Sequence, residues 1–533
     1  MSGATQEPRC PSVRQRIALF LLVFFAHTLI TPGHLTSPDE ELMFRMAESM
    51  ALRGSSSIRP IEWDAEQGRL LVPPEATFAT RQGADGRFFA QYLPLQPLLS
   101  APLVWGAHAT EGLFAEWFAE GTWPSMAHQW HTGTPAEFYH RAVVAAFFNP
   151  LVSGATALAL AWVAGLLGAG ARARTGTALL WAFATIGFAH ARTYFTEPLA
   201  QLFAVLAIGE LLRWRLARPG AERAPLRMAA WLSLGVWVRV DFPLIAAGLL
   251  AVMAWWSALD ARGGKAVRTA LVPVAVPAAL SLASFLLLQK FQLWRLGGID
   301  LTAGYGDQSE GVKFSTPLLI GLQGLLFSPG KGLLFFSPGL LLGAWGWLRG
   351  GAEAKAAAQA ALLGMLPFFL AMALWQNWEG GWCWGPRHIV QVHAPIMLGA
   401  AFLLRGPLGA ARRLTVSTIA AVGLAVQLYG AWQSPLEFFT EYFNTPADGE
   451  YLTVPYRPGE EAVIAGVNVV TDATTGRRLA ASLMPAPLSD SLYVPQHTQW
   501  AVYPAMAALG YNDLYWWRRL FPRESPDRWG QRP

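Results

Sequence analysis

Residues 16–50 read RIALFLLVFFAHTLITPGHLTSPDEELMFRMAESM. Two segments of different character meet here. Residues 17–31 form an apolar run behind Arg14 and Arg16, the pattern of a first membrane helix with its basic flank inside. No small-residue cleavage site follows, so the run is read as a retained helix and not as a leader. The second segment starts as an amphipathic helix: Ser37 as N-cap, Pro38 in the first turn, Glu40 three residues after the cap. Counting from Asp39, Leu42, Met43, Met46, Ala47 and Met50 fall at helical spacing on one face. Asp39 lies at the N-terminal tip of that apolar face, with Glu41 and Glu48 on the other. Glu40 suits a capping box. A carboxylate serving only the cap or the helix dipole needs no such placement, so Asp39 asks for a second explanation.

The pattern of the first run recurs along the chain. Of the 533 residues, 53% are hydrophobic and only 14% charged, with 24 Trp and 30 Phe; a typical soluble domain carries about 25% charged residues. The expected fold class is an all-α polytopic membrane protein. The basic clusters at Arg14/Arg16, Arg172/Arg174, Arg213 through Arg227, Arg262/Lys265/Arg268, Arg349/Lys355 and Arg405/Arg412/Arg413 all fall in the cytoplasm if about eleven spans are drawn. These are 17–31, 140–169, 174–191, 197–216, 228–240, 242–258, 269–290, 331–348, 356–375, 388–404 and 414–432. Residues 93–107 are apolar but short and carry Pro94, Pro97 and Pro102. They are read as an external or re-entrant helix inside one long external loop, 32–139. The chain divides into a transmembrane part, 1–432, and an external C-terminal segment, 433–533, with strand character at Leu452–Val470 and an interfacial anchor at Trp516-Trp517-Arg518-Arg519. The formal charge of +5 resides in the short loops and is no nucleic-acid signal. Cys10 and Cys383 fall on opposite sides of the membrane, so no disulfide is expected between them.

With this topology the unusual polar residues converge on the outer side: Asp39 and Glu40 in the first loop, Arg192 and Glu197 in HARTYFTEPLAQ, and Arg239 and Asp241 in WVRVDFP. Asp300, Asp307 and Lys313 follow, then Lys331 in LFSPGKGLLFFSP and Trp378 through His388 in WEGGWCWGPRH. Ionisable groups near membrane depth are costly and tend to line a cavity or pathway. Each has a plainer reading too. Arg192 with Glu197 fits an interfacial pair, Arg239 with Asp241 a turn-stabilising pair, and any single Trp an aromatic belt. SPGKG lacks the full phosphate-loop pattern and the strand before it. His393, inside an apolar helix, reads as structural; His388, beside Arg387, is the better ligand candidate.

The first loop opening on Asp-Glu, RTYFTEPLA, DGRFFAQYLPLQPLLSAPL and WEGGWCWGPRHI, in this order and on one side, resemble the GT-C superfamily of polyprenyl-phosphate-sugar-dependent glycosyltransferases. The protein O-mannosyltransferase and aminoarabinose transferase branches (families 39 and 83) are the most similar, over roughly residues 17–432. The resemblance implies transfer of a sugar from a polyprenyl-phosphate donor to the hydroxyl of a glycan, lipid or protein acceptor, usually with inversion, at the outer face of a bacterial inner membrane. Carried over by position, Asp39 is the base, with Glu40 beside it and Glu197 as a second acidic position. The chemistry asks for such a set: a positioned base for the alcohol and cations for the phosphate leaving group. Arg192, Lys331, Arg387 and His388 are the candidates for the phosphate. Arg239, Asp241, Trp378, Trp382 and Trp384 are candidates for sugar or acceptor contact. No cofactor is indicated with certainty and metal dependence stays open: a divalent metal is possible, but Glu197 with His388 is a thin site. The competing readings are a transporter or lipid flippase, against which the charges at helix ends and not mid-membrane count, and a non-catalytic envelope scaffold.

Overall fold

The computed structural model describes residues 12–58, 80–83, 85–119, 134–263, 266–297, 314–381, 383–435, 438, 469–471, 478–480, 490–493, 498–508 and 513–515. Cys10, Lys265, Asp300, Asp307, Lys313, Trp382, Trp516–Arg519 and nearly all of 452–470 lie outside them.

The described chain is helical. In order it forms α1 (Val13–Leu29), α2 (Pro38–Arg53), a hairpin of β1 (Thr80–Gln82) and β2 (Phe88–Ala90), α3 (Leu95–Ala119), α4 (Pro135–Leu166), α5 (Ala171–Ala184), α6 (Gly187–His190), α7 (Glu197–Arg215), α8 (Ala224–Val236), α9 (Phe242–Arg262) and α10 (Val267–Leu296). After these come α11 (Leu318–Phe327), α12 (Leu333–Phe336), α13 (Leu340–Arg349), α14 (Ala352–Ala358), α15 (Leu366–Leu374), α16 (Val390–Met397), α17 (Ala400–Leu403) and α18 (Ala410–Trp432). In the C-terminal segment a short hairpin, β3 (Val469–Thr471) and β4 (Arg478–Ala480), precedes α19 (Asp490–Tyr493) and α20 (Gln499–Ala508).

Each expected span is occupied by helix, but not always by one unbroken helix. Among the described residues, five stretches are both long and apolar enough to cross a bilayer: Pro135–Leu166, Phe242–Arg262, Leu271–Leu296, Ala352–Leu374 and Ala410–Trp432. The Ala352–Leu374 stretch passes through a π-turn at Gln359–Leu363. Span 331–348 is broken into α12 and α13 by Ser337-Pro338, and span 388–404 into α16 and α17. Next to these breaks α13 and the α16–α17 segment approach closely, backbone to backbone. A Cβ on Gly346 would lie 1.8 Å from the Gly399 carbonyl oxygen, and one on Gly343 2.4 Å from that of Ile396. Small residues let helices meet at such contacts without a lipid-excluded core. Leu271, Leu282, Leu286 and Leu287 of α10 are exposed, as are Ile17, Leu22 and Phe25 of α1; these are lipid-facing surfaces of a polytopic membrane protein.

The basic loops do converge on one end. Arg218 donates to the Leu166 carbonyl, and Glu353 faces both Arg218 and Arg405. Arg213 and Arg227 meet on Glu210, and Arg215 on Asp260. The candidate site residues gather at the opposite ends of the same helices. The helix that begins at residue 95 is longer than the 93–107 segment suggests, but it stands beside the bundle. Its start is held at the site end, where Gln96 donates to the Tyr194 carbonyl at 2.6 Å. From there it runs antiparallel to α4, with Thr110 reaching the Tyr139 hydroxyl. The 32 residues of α4 span about 48 Å, well beyond a ~30 Å hydrocarbon core. Asn149, mid-helix, donates to the Thr193 and Phe195 carbonyls of the site loop. The N-terminal half of α4 and its partner α3 therefore project past the site, away from the basic end.

Candidate active site

The cap read at Ser37 is present: its Oγ accepts from the Glu40 N–H, with Pro38 in the first turn. The capping box is not. The Glu40 carboxylate reaches past the cap and accepts from the Thr36 N–H at 2.6 Å and the Tyr194 N–H at 3.1 Å. Glu40 is fully buried and ties the start of α2 to the loop before α7. Burial pushes its carboxyl up to about 7, against the opposing pull of the Thr36 and Tyr194 donors and of Arg387. Leu42, Met43, Met46 and Ala47 are buried as the periodicity requires. Glu41, expected on the polar face, is buried as well. α4 covers that side, and Arg141 grips Glu41 through Nε at 2.9 Å and a terminal nitrogen at 2.8 Å, with Arg45 adding a third contact at 2.7 Å.

These contacts leave Asp39 facing inward yet open. Its side chain is 25% exposed, and its Oδ2 lies 3.4 Å from Arg387. Arg387 is the hub. Its Nε stands 3.6 Å from Glu197 Oε1, and its guanidinium lies 4.1 Å from the centre of the Phe195 ring. Glu197 opens α7 with Pro198 behind it, where the positive end of the helix favours a carboxylate. Arg239 meets the same Glu197 oxygen at 2.6 Å and forks onto Asp241 at 2.6 and 2.9 Å. The result is a chain of alternating charge, Asp39–Arg387–Glu197–Arg239–Asp241, drawn from α2, the turn before α16, α7 and the α8–α9 connection. Glu197 Oε2, Arg387 Nε and His388 Nδ1 are buried without a hydrogen-bond partner among the described residues. Each such orphan costs about 1–3 kcal/mol.

The Gly-rich stretch WEGGWCWGPRH builds this hub. Gly380, Gly381 and Gly385 all adopt positive φ. At Gly380 (φ 85°) a Cβ would lie 2.9 Å from the Arg387 nitrogen, so the loop folds back over Arg387 only with glycine there. The buried Lys331 ammonium fastens the turn, donating to the Gly381 and Cys383 carbonyls at 2.7 and 2.6 Å. Its contacts are those of a loop organiser; the expectation that it faces a phosphate is not what the geometry favours. Arg192 is similarly engaged. It forms an ion pair with Asp513 and donates to the Ala431 carbonyl, while His34 holds the other Asp513 oxygen at 2.9 Å. A cavity of about 20 Å³ bordered by Thr36, His190, Arg192, Cys383 and Trp384 has room for roughly one water.

The tryptophans require a correction. Trp384 is buried against Phe336, Trp500 and Tyr503, with ring centres 4.6, 4.9 and 5.6 Å away, because α20 of the C-terminal segment packs over it. Trp378 is buried over Gly324. Both fill packing positions and present no face to a sugar; Trp382 lies outside the described residues. Glu197 and His388 do approach, at 3.9 Å. Two guanidiniums already crowd that Glu197 oxygen, so these residues do not fit a divalent cation. Among residues the sequence reading passed over, Glu379 lies in the same loop within electrostatic reach of Lys331 and Arg387, and burial raises its carboxyl above the ordinary value.

No protein-family profile matches the sequence, and no curated protein matches it. Among solved structures the chain is similar to ArnT from Cupriavidus metallidurans bound to undecaprenyl phosphate, at 14% identity and a TM-score of 0.46 over 82% of this chain and 66% of that one. It is also similar to the archaeal oligosaccharyltransferase AglB from Archaeoglobus fulgidus in complex with an inhibitory peptide and a dolichol-phosphate, at 12% identity and a TM-score of 0.45 over 78% of this chain and 55% of that one. The chain thus spans less than two thirds of the length of either.

Proposed function

We propose that this protein is a glycosyltransferase of the GT-C kind, moving a sugar from a polyprenyl-phosphate donor to an acceptor hydroxyl at the membrane face opposite the basic loops, the outer face of a bacterial inner membrane. The observation that carries the reading is the pairing of Asp39 with Arg387. A partly open carboxylate touches a cation whose own Nε, with Glu197 Oε2 and His388 Nδ1, is buried without a hydrogen-bond partner among the described residues. Nucleophile activation and leaving-group stabilisation are thus available within one contact.

In the proposed step Asp39 takes the proton of the acceptor hydroxyl. The oxygen forms a bond to the anomeric carbon from the side opposite the phosphate, the carbon–phosphate oxygen bond breaks, and the lipid phosphate leaves with that electron pair. Configuration inverts. Arg387 matches phosphate oxygens with its planar fork, and His388 beside it lends a further polar contact. Donor binding draws Arg387 toward the phosphate and away from Asp39, which loosens a contact already long at 3.4 Å and leaves the carboxylate free to act as base. Glu197 and Arg239 position Arg387; Asp241 fixes Arg239. An apolar groove of about 440 Å³ between α5 and α18, bordered by Leu179, Leu180, Phe183 and Leu424, offers space for part of a polyprenyl chain.

The test is donor turnover by the purified protein in liposomes, with a panel of polyprenyl-phosphate sugars, a membrane extract as acceptor source and mass spectrometric detection. Consumption of a donor by wild type, with an Arg387→Gln variant at least about 10²-fold slower, is the expected result. Turnover unchanged by Arg387→Gln would remove that residue from the mechanism. Ion- or potential-driven flux without donor cleavage would replace the transferase by a transporter.

A further inference from the structure

Away from the charged chain, on the projecting α3–α4 pair, a second cluster of chemistry-bearing side chains converges. His108 and Glu111 sit one helical turn apart on α3, and His140 faces them from the first turns of α4. His108 Nδ1 lies 3.0 Å and His140 Nε2 2.7 Å from one and the same oxygen, Glu111 Oε2. All three donor atoms fall within 4.8 Å of one another. His140 is buried and Glu111 about one-third exposed, with His108 at the rim.

We propose that His108, Glu111 and His140 bind a single divalent ion of the zinc type, clamping α3 to α4. Two imidazoles and a carboxylate are a complete protein set for tetrahedral zinc with water in the fourth place. Donor atoms around such an ion, at bonds of about 2.0–2.1 Å, lie ~3.3 Å apart. The separations of 3.0 and 2.7 Å to Glu111 need to open by roughly 0.3 and 0.6 Å, and the two imidazole nitrogens, within 4.8 Å of each other, close to the same spacing by adjustment of the exposed His108 side chain. The tautomers favour the exchange. Without metal, each imidazole presents its proton to Glu111. With metal, that nitrogen must be bare and the proton moves to the far side of the ring. For His140 the far nitrogen is Nδ1, which is buried, has no hydrogen-bond partner among the described residues and faces Glu48 Oε1 at 3.9 Å. A carboxylate behind a ligating imidazole orients the ring and raises its basicity, at about 10–100-fold in affinity. Glu48 belongs to α2, about 13 Å along that helix from Asp39, so the ion ties α3 to α4 with α2 behind His140 while staying clear of the transfer site. The proposal does not rest on the transferase reading.

The experiment uses the full-length protein in detergent, stripped with a chelator and reloaded with zinc alone, with bound metal counted by mass spectrometry. One zinc per chain is expected in wild type, with at least a tenfold weaker affinity in His108→Ala, His140→Ala and Glu111→Gln, and about 10–100-fold in Glu48→Gln. Cobalt loaded in place of zinc gives the intense visible bands of a tetrahedral ion, a readout that needs no variant and holds if a variant fails to fold. Wild type that retains no zinc and gives no tetrahedral cobalt spectrum overturns the proposal. So does stoichiometric zinc of undiminished affinity in folded His108→Ala or His140→Ala protein, which would assign the cluster to a carboxylate hydrogen-bonded between two imidazoles.

Discussion

The placement of Asp39 depends on a buried ion pair, and that pair makes a quantitative prediction. Glu41, fully buried, is held by Arg141 from α4, itself only 7% exposed, and by Arg45 one turn away, 19% exposed. Breaking a buried pair by removing one partner costs about 3–5 kcal/mol, because the other charge is left unpaired in a poorly solvated site. In Arg141→Met, Arg45 still gives Glu41 one hydrogen bond, so the cost falls at the low end, about 3 kcal/mol. In Glu41→Leu, Arg141 keeps the Glu137 carbonyl and the face of Phe44, 5.0 Å away, which again tempers the loss to about 3 kcal/mol. Replacing both partners by apolar residues of similar volume leaves neither buried charge of the Glu41–Arg141 pair behind; Arg45 loses its Glu41 contact but, 19% exposed, keeps access to water, so the double variant should return to within about 1 kcal/mol of wild type. Equilibrium unfolding in mixed micelles, run as a double-mutant cycle, measures this directly. The singles should each lose roughly 10²-fold in the folded-to-unfolded ratio, and the cycle should give a coupling of about 5 kcal/mol. A double variant as unstable as the sum of its singles would refute the reasoning, since Glu41 and Arg141 would then act independently.

Glu40 makes stability depend on pH. Its folded value is raised from 4.5 to about 7, so the folded state binds the proton more tightly, and stability is highest below the unfolded value and falls as pH rises toward 7. The loss amounts to about 3 kcal/mol, and a melting series should show it in wild type and show a flatter profile in Glu40→Gln. Asp513→Ala removes the carboxylate shared by Arg192 and His34. The C-terminal segment should then open about 10-fold or more often, read as faster limited proteolysis after residue 433; unchanged cleavage would mean that the aromatic packing of α20 alone holds it. Gly380→Ala should misplace Arg387 and lower donor turnover, because the new Cβ meets the Arg387 backbone nitrogen at 2.9 Å; full turnover would contradict the turn's assigned role.

Much of this architecture was legible in the sequence. Hydrophobic runs and basic clusters located the helices and gathered the charged loops at one end, because both signals are set by composition alone. The helix start at Ser37-Pro38 was legible for the same reason: a cap is a local event. What failed to show was what neighbours decide. Glu41 falls on the polar face by periodicity and is buried only because α4, a hundred residues on, brings Arg141 to it. Trp384 and Arg192 read as site residues, but the C-terminal segment supplies Trp500, Tyr503 and Asp513 to engage them, and no pattern near either residue announces that. Of the candidate residues, Asp39, Glu197, Arg239, Asp241, Arg387 and His388 come together. Lys331 shapes the loop that carries Arg387, and Glu40 anchors the helix that carries Asp39. The His108–Glu111 spacing was visible as one turn of helix, yet its meaning depends on His140 across the gap.

Whether Asp39 is the base is decided by the rate of sugar transfer in Asp39→Asn beside wild type, at saturating donor. Asparagine keeps the size and contacts of the side chain and cannot accept the proton. The account predicts a fall of about 10²–10⁴-fold in turnover with donor binding retained, since Arg387 no longer has an acid to leave. Turnover equal to wild type would contradict it and return Asp39 to the role of a helix-terminal carboxylate.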